Sequence, residues 1–262
     1  MDALSQLAEL ILENAEFVVP VIAIFSRVSL FVFMLPGLGE VNIPVRVRLS
    51  VAFLLTWMLV PMIAPTIDAQ SLTLANSTLL ILKESFYGFL LGFAFRVMVF
   101  GLQITGSIIS QSMSLSQIFG EGITTEPNTT MSTLFMLAGI TLAITMDLHI
   151  MAIGVFVGSF ETFPLGTSPA GDETAYWVAQ RFAGVFSFSL ALALPFMILN
   201  FVYNLILGFL NRAMPQLMVS FVGMPAITGA GIFLLVLSAG SILMLWMSEY
   251  NSAFSEFPGI IP

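Results

Sequence analysis

Residues 182–247 read FAGVFSFSLALALPFMILNFVYNLILGFL, then NRAMPQ, then LMVSFVGMPAITGAGIFLLVLSAGSILMLWM. The two outer pieces are apolar runs of about 30 residues, whereas a bilayer core of about 30 Å needs only about 20 apolar residues in a helix. The short polar piece between them (211–216) predicts a hairpin of two helices. Their excess length indicates tilting, kinking or exit from the membrane, and Pro195 and Pro225 predict kinks.

The rest of the chain has the same composition. Of 262 residues, 58% are hydrophobic and 8% are charged, and the mean hydropathy is +1.02. Soluble proteins are about half apolar and a quarter charged, so these values exclude a water-soluble globule and indicate an integral membrane protein. The net charge of −8 argues against binding to nucleic acid, which requires clustered cations. With no cysteine and one histidine, His149, we expect no metal site and no cofactor.

Three more apolar runs, 17–35, 49–67 and 85–104, predict helices in the N-terminal half of the chain. The first run ends at a turn-forming Pro/Gly cluster. The loop that follows contains Arg46 and Arg48, two of the seven cations, so the positive-inside rule predicts that it is cytoplasmic.

Two other features concern helix packing. Residues 2–16 have apolar side chains at helical spacing and acidic side chains on other faces, which predicts an amphipathic helix that packs on protein. Gly88 and Gly92 lie four residues apart in the third run, a spacing that lets two helices approach closely. The same spacing recurs at Gly154 and Gly158.

The run 131–163 is apolar apart from three ionisable residues, Asp147, His149 and Glu161, and is about 50 Å long if helical. It is too short for two full spans, so it predicts either one long helix or a shallow hairpin bent near Asp147. A Pro/Gly/Ser-rich loop at 164–176 follows. We place the domain boundary there, between an N-terminal domain of residues 1–163 and a C-terminal hairpin of residues 177–262.

Arg27 and Arg96 lie near the centres of their apolar runs. An arginine at the bilayer centre costs about 2.5–3.5 kcal/mol on insertion scales, so each should meet a partner. Three alternatives stand: a contact with another subunit or a pore, an intramolecular pair with Glu84, Asp147 or Glu161, or helices that lie outside the lipid.

The stretch 106–130 is polar, small and without a cation. At membrane depth such a stretch is tolerated only when it is buried in protein or lines an aqueous cavity. An ordinary solvent-exposed loop is the alternative. Met113 favours the first interpretation, because lipid packing does not explain a methionine among serines and glutamines.

Catalytic motifs are weak in this chain. Asp147 and His149 could form a proton relay, but capping or bending a helix is the better interpretation. The sequence contains no GxSxG motif and no P-loop. We therefore expect a protein that is not an enzyme. A stand-alone transporter or ion channel using Arg27, Arg96 and Asp147 is the alternative function.

Two stretches resemble the FliR family of flagellar export-gate proteins, the counterpart of the injectisome SctT family: MLPGLGEVNIPVRVRLSVA (34–52) and NRAMPQLMVSFVGMPA (211–226). GSIISQSMSLSQ (106–117) is a third point of similarity. The resemblance implies an all-α membrane protein with long kinked helices, a FliP-like N-terminal domain and a FliQ-like C-terminal hairpin.

The resemblance also implies a function. Such proteins assemble with FliP-type and FliQ-type subunits into a channel for unfolded flagellar substrates, beside FlhB-type and FlhA-type components. The location implied is the bacterial inner membrane, in the flagellar basal body, with much of the complex at periplasmic level.

The predicted site residues fall into two groups. Within the segment 106–122, residues similar to the family's pore plug are Gly106, Gln111, Met113, Leu115, Gln117, Phe119 and Gly122. Residues expected to make subunit contacts are Arg27, Pro44, Arg46, Arg48, Arg96, Asn211, Arg212, Pro215 and Gln216. No catalytic, cofactor-binding or metal-binding residue is implied.

Overall fold

Seven α-helices form the structure, a computed structural model that describes residues 15–40, 42–63, 74–113, 130–168, 171–214 and 219–255. They are α1 (Ala15–Met34), α2 (Val45–Ile63), α3 (Leu74–Ser112), α4 (Thr130–Thr145), α5 (Leu148–Thr162), α6 (Gly171–Ala213) and α7 (Val219–Ser255). The described residues contain no strand, and the predicted all-α fold is confirmed. Most of the predicted amphipathic helix, residues 2–14, lies outside the described residues.

Four of these helices, α2, α3, α6 and α7, are long and apolar enough to cross a membrane. The bent pair α4 and α5 would be a fifth span if it is counted as one. The predicted helices are thereby confirmed, and the length and composition of these four are consistent with the predicted membrane location. Most side chains of α3 are buried in the chain itself, whereas those of α2, α6 and α7 are largely exposed.

The described residues belong to two compact units. The first unit takes its residues from Met1–Arg96, Asp147–Trp177 and Ala253–Pro262. The second takes them from Val97–Met146 and Val178–Ser252. Each unit therefore combines segments that are distant in the sequence.

The predicted start of the second helix was wrong by four residues. Its first helical residue is Val45, so Arg46 and Arg48 lie in its first turn rather than in a loop. The carbonyl oxygen of Pro44 accepts hydrogen bonds from the amides of Val47 and Arg48, which starts the helix directly after the proline. Hydropathy did not predict this first helical turn, because its two arginines lower the mean hydropathy there.

The third helix is much longer than its apolar run, since it has 39 residues and continues through Ser112. The beginning of the polar stretch is thus helical, and the alternative of a solvent loop is wrong for 106–112. Backbone hydrogen bonding continues to Met113, whose amide donates to the carbonyl of Ile109 at 3.0 Å. Hydropathy reports affinity for lipid, whereas a helix packed on protein also accepts serine and glycine.

The run 131–163 divides into α4 and α5 at Asp147, so a single continuous helix is excluded. Asp147 has the left-handed φ of 56°. Its carbonyl oxygen accepts the amides of Ile150 and Met151 at the start of α5, while its side chain makes no capping bond. The predicted bend is confirmed, and it depends on the backbone of Asp147.

The predicted C-terminal hairpin is confirmed, with longer helices than its apolar runs. Gly171 begins α6, so the end of the predicted loop 164–176 is helical instead; Asp172 and Glu173 in the first turn favour the positive end of the helix dipole. A Cβ on Gly223 of α7 would overlap the hydroxyl of Tyr203 on α6, so the helices touch there. Pro195 and Pro225 lie inside the helices, and the kinks stay a prediction.

Candidate functional site

The first candidate site is a buried cluster around Arg27 of α1. The side chain of Arg27 has no accessible surface, and neither has that of Glu84 on α3. Arg27 Nη1 lies 3.1 Å from Glu84 Oε2 and also donates to the carbonyl of Phe163 at 3.0 Å. Nη2 donates to the carbonyl and the hydroxyl of Ser159, at 2.9 and 2.8 Å. The intramolecular alternative is therefore the one that the structure contains.

Two aromatic rings cover the guanidinium. Its carbon lies 4.1 Å from the ring centroid of Phe160 and 5.1 Å from that of Tyr87. A buried ion pair is stable only when hydrogen bonds replace the lost hydration, and four of them reach the two Nη atoms here. The side chain of Arg27 is fully used inside the chain, and a subunit contact by Arg27 stays a prediction.

Glycines on α3 create this site. A Cβ on Gly88 would overlap the backbone of Arg27, so only glycine lets α3 approach α1 this closely. Glu84 is one turn before Gly88 and is therefore on the same face, opposite Arg27. Gly92, one turn later, is against Met34 and Phe31. The predicted close approach at Gly88 and Gly92 is confirmed, whereas no described residue lies within 4 Å of a Cβ on Gly154.

The same cluster fixes the end of α5 and the loop after it. Ser159 and Phe163, whose carbonyls bind Arg27, are at the helix C-terminus, where carbonyls need external donors and cations are favourable. The amide of Gly166 donates to Glu84 Oε1 at 3.0 Å, and Lys83 Nζ donates to the carbonyl of Gly166 at 3.3 Å. One ion pair thus connects three helices and a loop.

A second charged group surrounds the turn between α1 and α2. Arg96 of α3 pairs with Glu40, with 2.5 Å between Nη1 and Oε1, and both side chains are 15% exposed. Arg48 donates to the carbonyls of Glu40 and Ile43 and lies over the ring of Phe33. Arg46 is exposed. Arg48 and Arg96 thus stabilise the turn between α1 and α2. A subunit contact by Arg46 stays a prediction.

The polar stretch begins inside a tightly packed region. A Cβ on Gly106 would overlap the backbone of Met131 and Ser132 on α4. One residue earlier, the Thr105 hydroxyl reaches the carbonyls of Gly101 and Ser189, and the Ser189 hydroxyl donates to Gly101 at 2.9 Å. Small residues therefore allow close packing between helices here, as they do at Gly88.

Met113 anchors the end of α3 to α7. Its side chain is fully buried, and a Cβ on Gly231 would overlap it. The Thr228 hydroxyl donates to the carbonyl of Met113 at 3.0 Å. Gln111 is exposed. The other predicted plug residues, Leu115, Gln117, Phe119 and Gly122, lie outside the described residues.

The remaining candidates are on the surface or outside the described residues. Asn211 and Arg212 are exposed at the end of α6, and Pro215 and Gln216 are outside the described residues. His149 is partly buried, and its Nδ1 has no hydrogen-bond partner among the residues that the structure describes. Within those residues no three carboxylates or histidines lie close enough to hold a metal ion.

Sequence reasoning missed several partners. Glu40 was not among the candidates for Arg96, although it follows the Pro/Gly turn directly. The indole of Trp246 on α7 is 1% exposed and donates to the carbonyl of Met98 at 2.8 Å. Gly139 of α4 packs against Leu102 and this indole. A lone tryptophan in an apolar run was the available signal, because a buried indole N–H needs an acceptor.

Comparison with known proteins gives a consistent result. The model of the family described as "Bacterial export proteins, family 1" matches residues 18–253. The flagellar biosynthetic protein FliR of Caulobacter vibrioides is 31% identical over 235 residues, covering 89% of this chain and 94% of the relative. FliR of Escherichia coli is 28% identical over 212 residues, 80% of each chain. FliR of Aquifex aeolicus is 26% identical over 246 residues, 93% of this chain and 94% of the relative.

Proposed function

The chain belongs to the FliR family of bacterial export proteins, and we propose that it is a subunit of the flagellar type III export gate. Family membership makes it a component of the flagellar export apparatus. The observation that carries the proposal is the extent of the family match, from residue 18 to residue 253, which includes most of every described helix. In the proposed gate, the chain joins FliP-type and FliQ-type subunits around a channel for unfolded flagellar proteins.

Exposed apolar faces support an assembly. The side chains of Phe209, Phe233, Val236 and Met244 on α6 and α7 are 68–75% exposed. Such faces need either lipid or other subunits. In the proposed gate, the FliQ-like hairpin of residues 177–262 uses them against FliQ-type subunits, and the N-terminal domain of residues 1–163 occupies a FliP-like position. FlhB-type and FlhA-type components adjoin the gate.

The plug belongs to the same proposal. Residues 114–122, with Leu115, Gln117 and Phe119, close the channel when no substrate is present. Gly106 and Gln111 belong to the helical base of this plug, which Met113 anchors to α7. The small side chains of glycine and serine let the segment move aside, while phenylalanine seals around an unfolded chain without demanding a sequence.

A stand-alone transporter has less support. It would need open polar sites at mid-helix charges, yet Arg27 pairs with Glu84 and Arg96 pairs with Glu40 inside the chain. We propose further that the chain is not an enzyme and that partner components supply the energy. Its place is the bacterial inner membrane, in the flagellar basal body, with much of the gate at periplasmic level.

The test is copurification followed by conductance. The tagged chain is co-expressed with FliP-type and FliQ-type subunits, and the intact mass of the purified complex is determined. We expect a hetero-oligomer that contains both partners. A stable, selective monomer would instead support the transporter.

The conductance arm uses the complex in planar bilayers. Replacing 114–122 with nine glycines and serines leaves the Met113 anchor intact, and we expect a continuous ion leak. Gly154→Ala, whose new Cβ meets none of the residues that the structure describes, is the matched control and should stay closed. Equal conductance of the replacement and the control would contradict the plug role.

A further inference from the structure

An open apolar groove lies between α1 and α2. Its cavity volume is about 490 Å³, within the range of about 300–1,000 Å³ that is usual for ligand sites. Ile22 and Phe25 of α1 line one side, and Phe53, Trp57 and Val60 of α2 line the other. The ring of Trp57 is 72% exposed.

The groove has little to offer a polar ligand. Thr56 supplies the single hydroxyl of the lining, and that hydroxyl already donates to the carbonyl of Ala52 at 2.7 Å. A peptide or sugar would lose hydrogen bonds to water here without replacement. The chemistry of the lining therefore selects a hydrocarbon chain.

A cation lies on the same face of α2. Arg46 precedes Phe53 by two helical turns, and Trp57 and Val60 continue the stripe at helical spacing. At 1.5 Å per residue, Arg46 is about 10 Å along the helix axis from Phe53. Arg46 is exposed, and its side chain makes no hydrogen bond or ion pair within the described residues, whereas Arg48 is bound to carbonyls of the turn.

The dimensions fit one leaflet of a bilayer. From Phe53 to Pro61 the groove extends about 12 Å along α2 at 1.5 Å per residue. Half of a hydrocarbon core of about 30 Å is about 15 Å. The stripe thus presents, in order, a positive charge and an apolar channel of nearly leaflet depth.

We propose that this groove binds an acyl chain of an anionic glycerophospholipid, with the lipid phosphate at Arg46. A partner helix is the alternative occupant, and the exposed charge of Arg46 on the same face of α2 favours the anionic lipid over it. The proposal requires the membrane location and is independent of the plug.

Quenching of Trp57 fluorescence tests the proposal. The full chain, in the assembly in which it purifies, is reconstituted into phosphatidylcholine vesicles with rising fractions of phosphatidylglycerol that carries brominated acyl chains. A second series uses brominated phosphatidylcholine. Subtracting the signal of Trp57→Phe removes the contributions of Trp177 and Trp246. We expect brominated phosphatidylglycerol to quench half of the Trp57 fluorescence at a lipid fraction about fivefold lower than brominated phosphatidylcholine needs. This is the effect of one basic residue near an anionic headgroup.

Four variants separate the groove from general lipid contact. Arg46→Gln should abolish the preference for phosphatidylglycerol, and Arg46→Lys should retain it. Arg212→Gln, which removes an exposed cation at the end of α6, should also retain it. Val60→Phe, which fills the groove, should weaken quenching by both lipids.

Three results would overturn the proposal. They are equal half-quenching fractions for the two lipids in the unmodified chain, quenching that Val60→Phe leaves unchanged, and complete shielding of Trp57 in the purified assembly. The last result would assign the groove to another subunit.

Discussion

Arg27 combines a full positive charge with complete burial. Removing such a charge from water is expensive, and the protein compensates with one carboxylate, three further hydrogen bonds and two aromatic faces. Since its partners come from α3, α5 and the loop after α5, Arg27 connects segments that are up to 136 residues apart. We therefore expect a replacement of Arg27 to lower stability more than a replacement of an exposed cation such as Arg46.

Arg27→Met should destabilise the protein by about 3–5 kcal/mol, because it leaves Glu84 buried and without its cation. The measurement is the unfolding midpoint of the detergent-solubilised protein, compared with Arg46→Met, an exposed change expected to stay within about 0.5 kcal/mol. The double variant Arg27→Met, Glu84→Met should recover some of the loss. An unfolding midpoint of Arg27→Met equal to that of Arg46→Met would contradict the stabilising role of the pair.

For Arg27 and Arg96, the sequence predicted that each arginine needs a partner, but it did not identify the partner. The central arginines required compensation, and Glu84 was one of three candidates for Arg27. Hydropathy places a charge along a helix but does not reveal which distant backbone carbonyls turn toward it. For that reason Ser159, Phe163 and the pairing of Glu40 with Arg96 came only from the structure.

Helices extend beyond their apolar runs wherever protein replaces lipid as the neighbour. The third helix has 39 residues, against 20 in the run 85–104, because it begins at Leu74 and continues to Ser112, where Gly106 packs on α4 and Thr105 bonds to Ser189 of α6. Glycine spacing predicted the close contacts at Gly88 and Gly92 correctly, but the same spacing at Gly154 meets no neighbour within the described part of the chain. A glycine motif therefore shows where a second helix could pack closely. Whether a helix lies there depends on the tertiary fold.

Gly88→Ala and Gly154→Ala form a matched pair that tests the close packing of α3 on α1. The new Cβ at position 88 would overlap the backbone of Arg27, which cannot move like a side-chain end, so we expect a loss of at least about 1–3 kcal/mol. At position 154 the same change meets open space, and the higher helix propensity of alanine should stabilise the protein by up to about 1 kcal/mol. Unfolding midpoints of the two purified variants measure the difference. Equal shifts would show that α1 and α3 do not approach through Gly88.

In the whole molecule, the order of the helices along the chain does not predict which helices pack together. The loop 164–176 predicted a boundary between 1–163 and 177–262, and a relationship of these two regions to FliP-type and FliQ-type subunits stays a proposal. That boundary also stays a prediction, and each compact unit combines separate stretches of the chain: in the second unit, Ser189 of α6 bonds to Gly101, and Trp246 of α7 bonds to Met98. Apolar runs are alike in composition, so their sequence contains little information about which of them pack together.

The C-terminal hairpin should therefore not fold by itself. Expressed alone, 177–262 loses the α3 carbonyls that Ser189 and Trp246 use, and we expect aggregation or degradation in size-exclusion chromatography. Co-expressed fragments 1–168 and 169–262 should copurify through a tag on one of them. Trp246→Ala should weaken this association by about 3–5 kcal/mol, whereas Val236→Ala, at a side chain that is 75% exposed, should leave it intact. A monodisperse, stable 177–262 would mean that the hairpin is an independent domain and that its contacts with α3 are secondary.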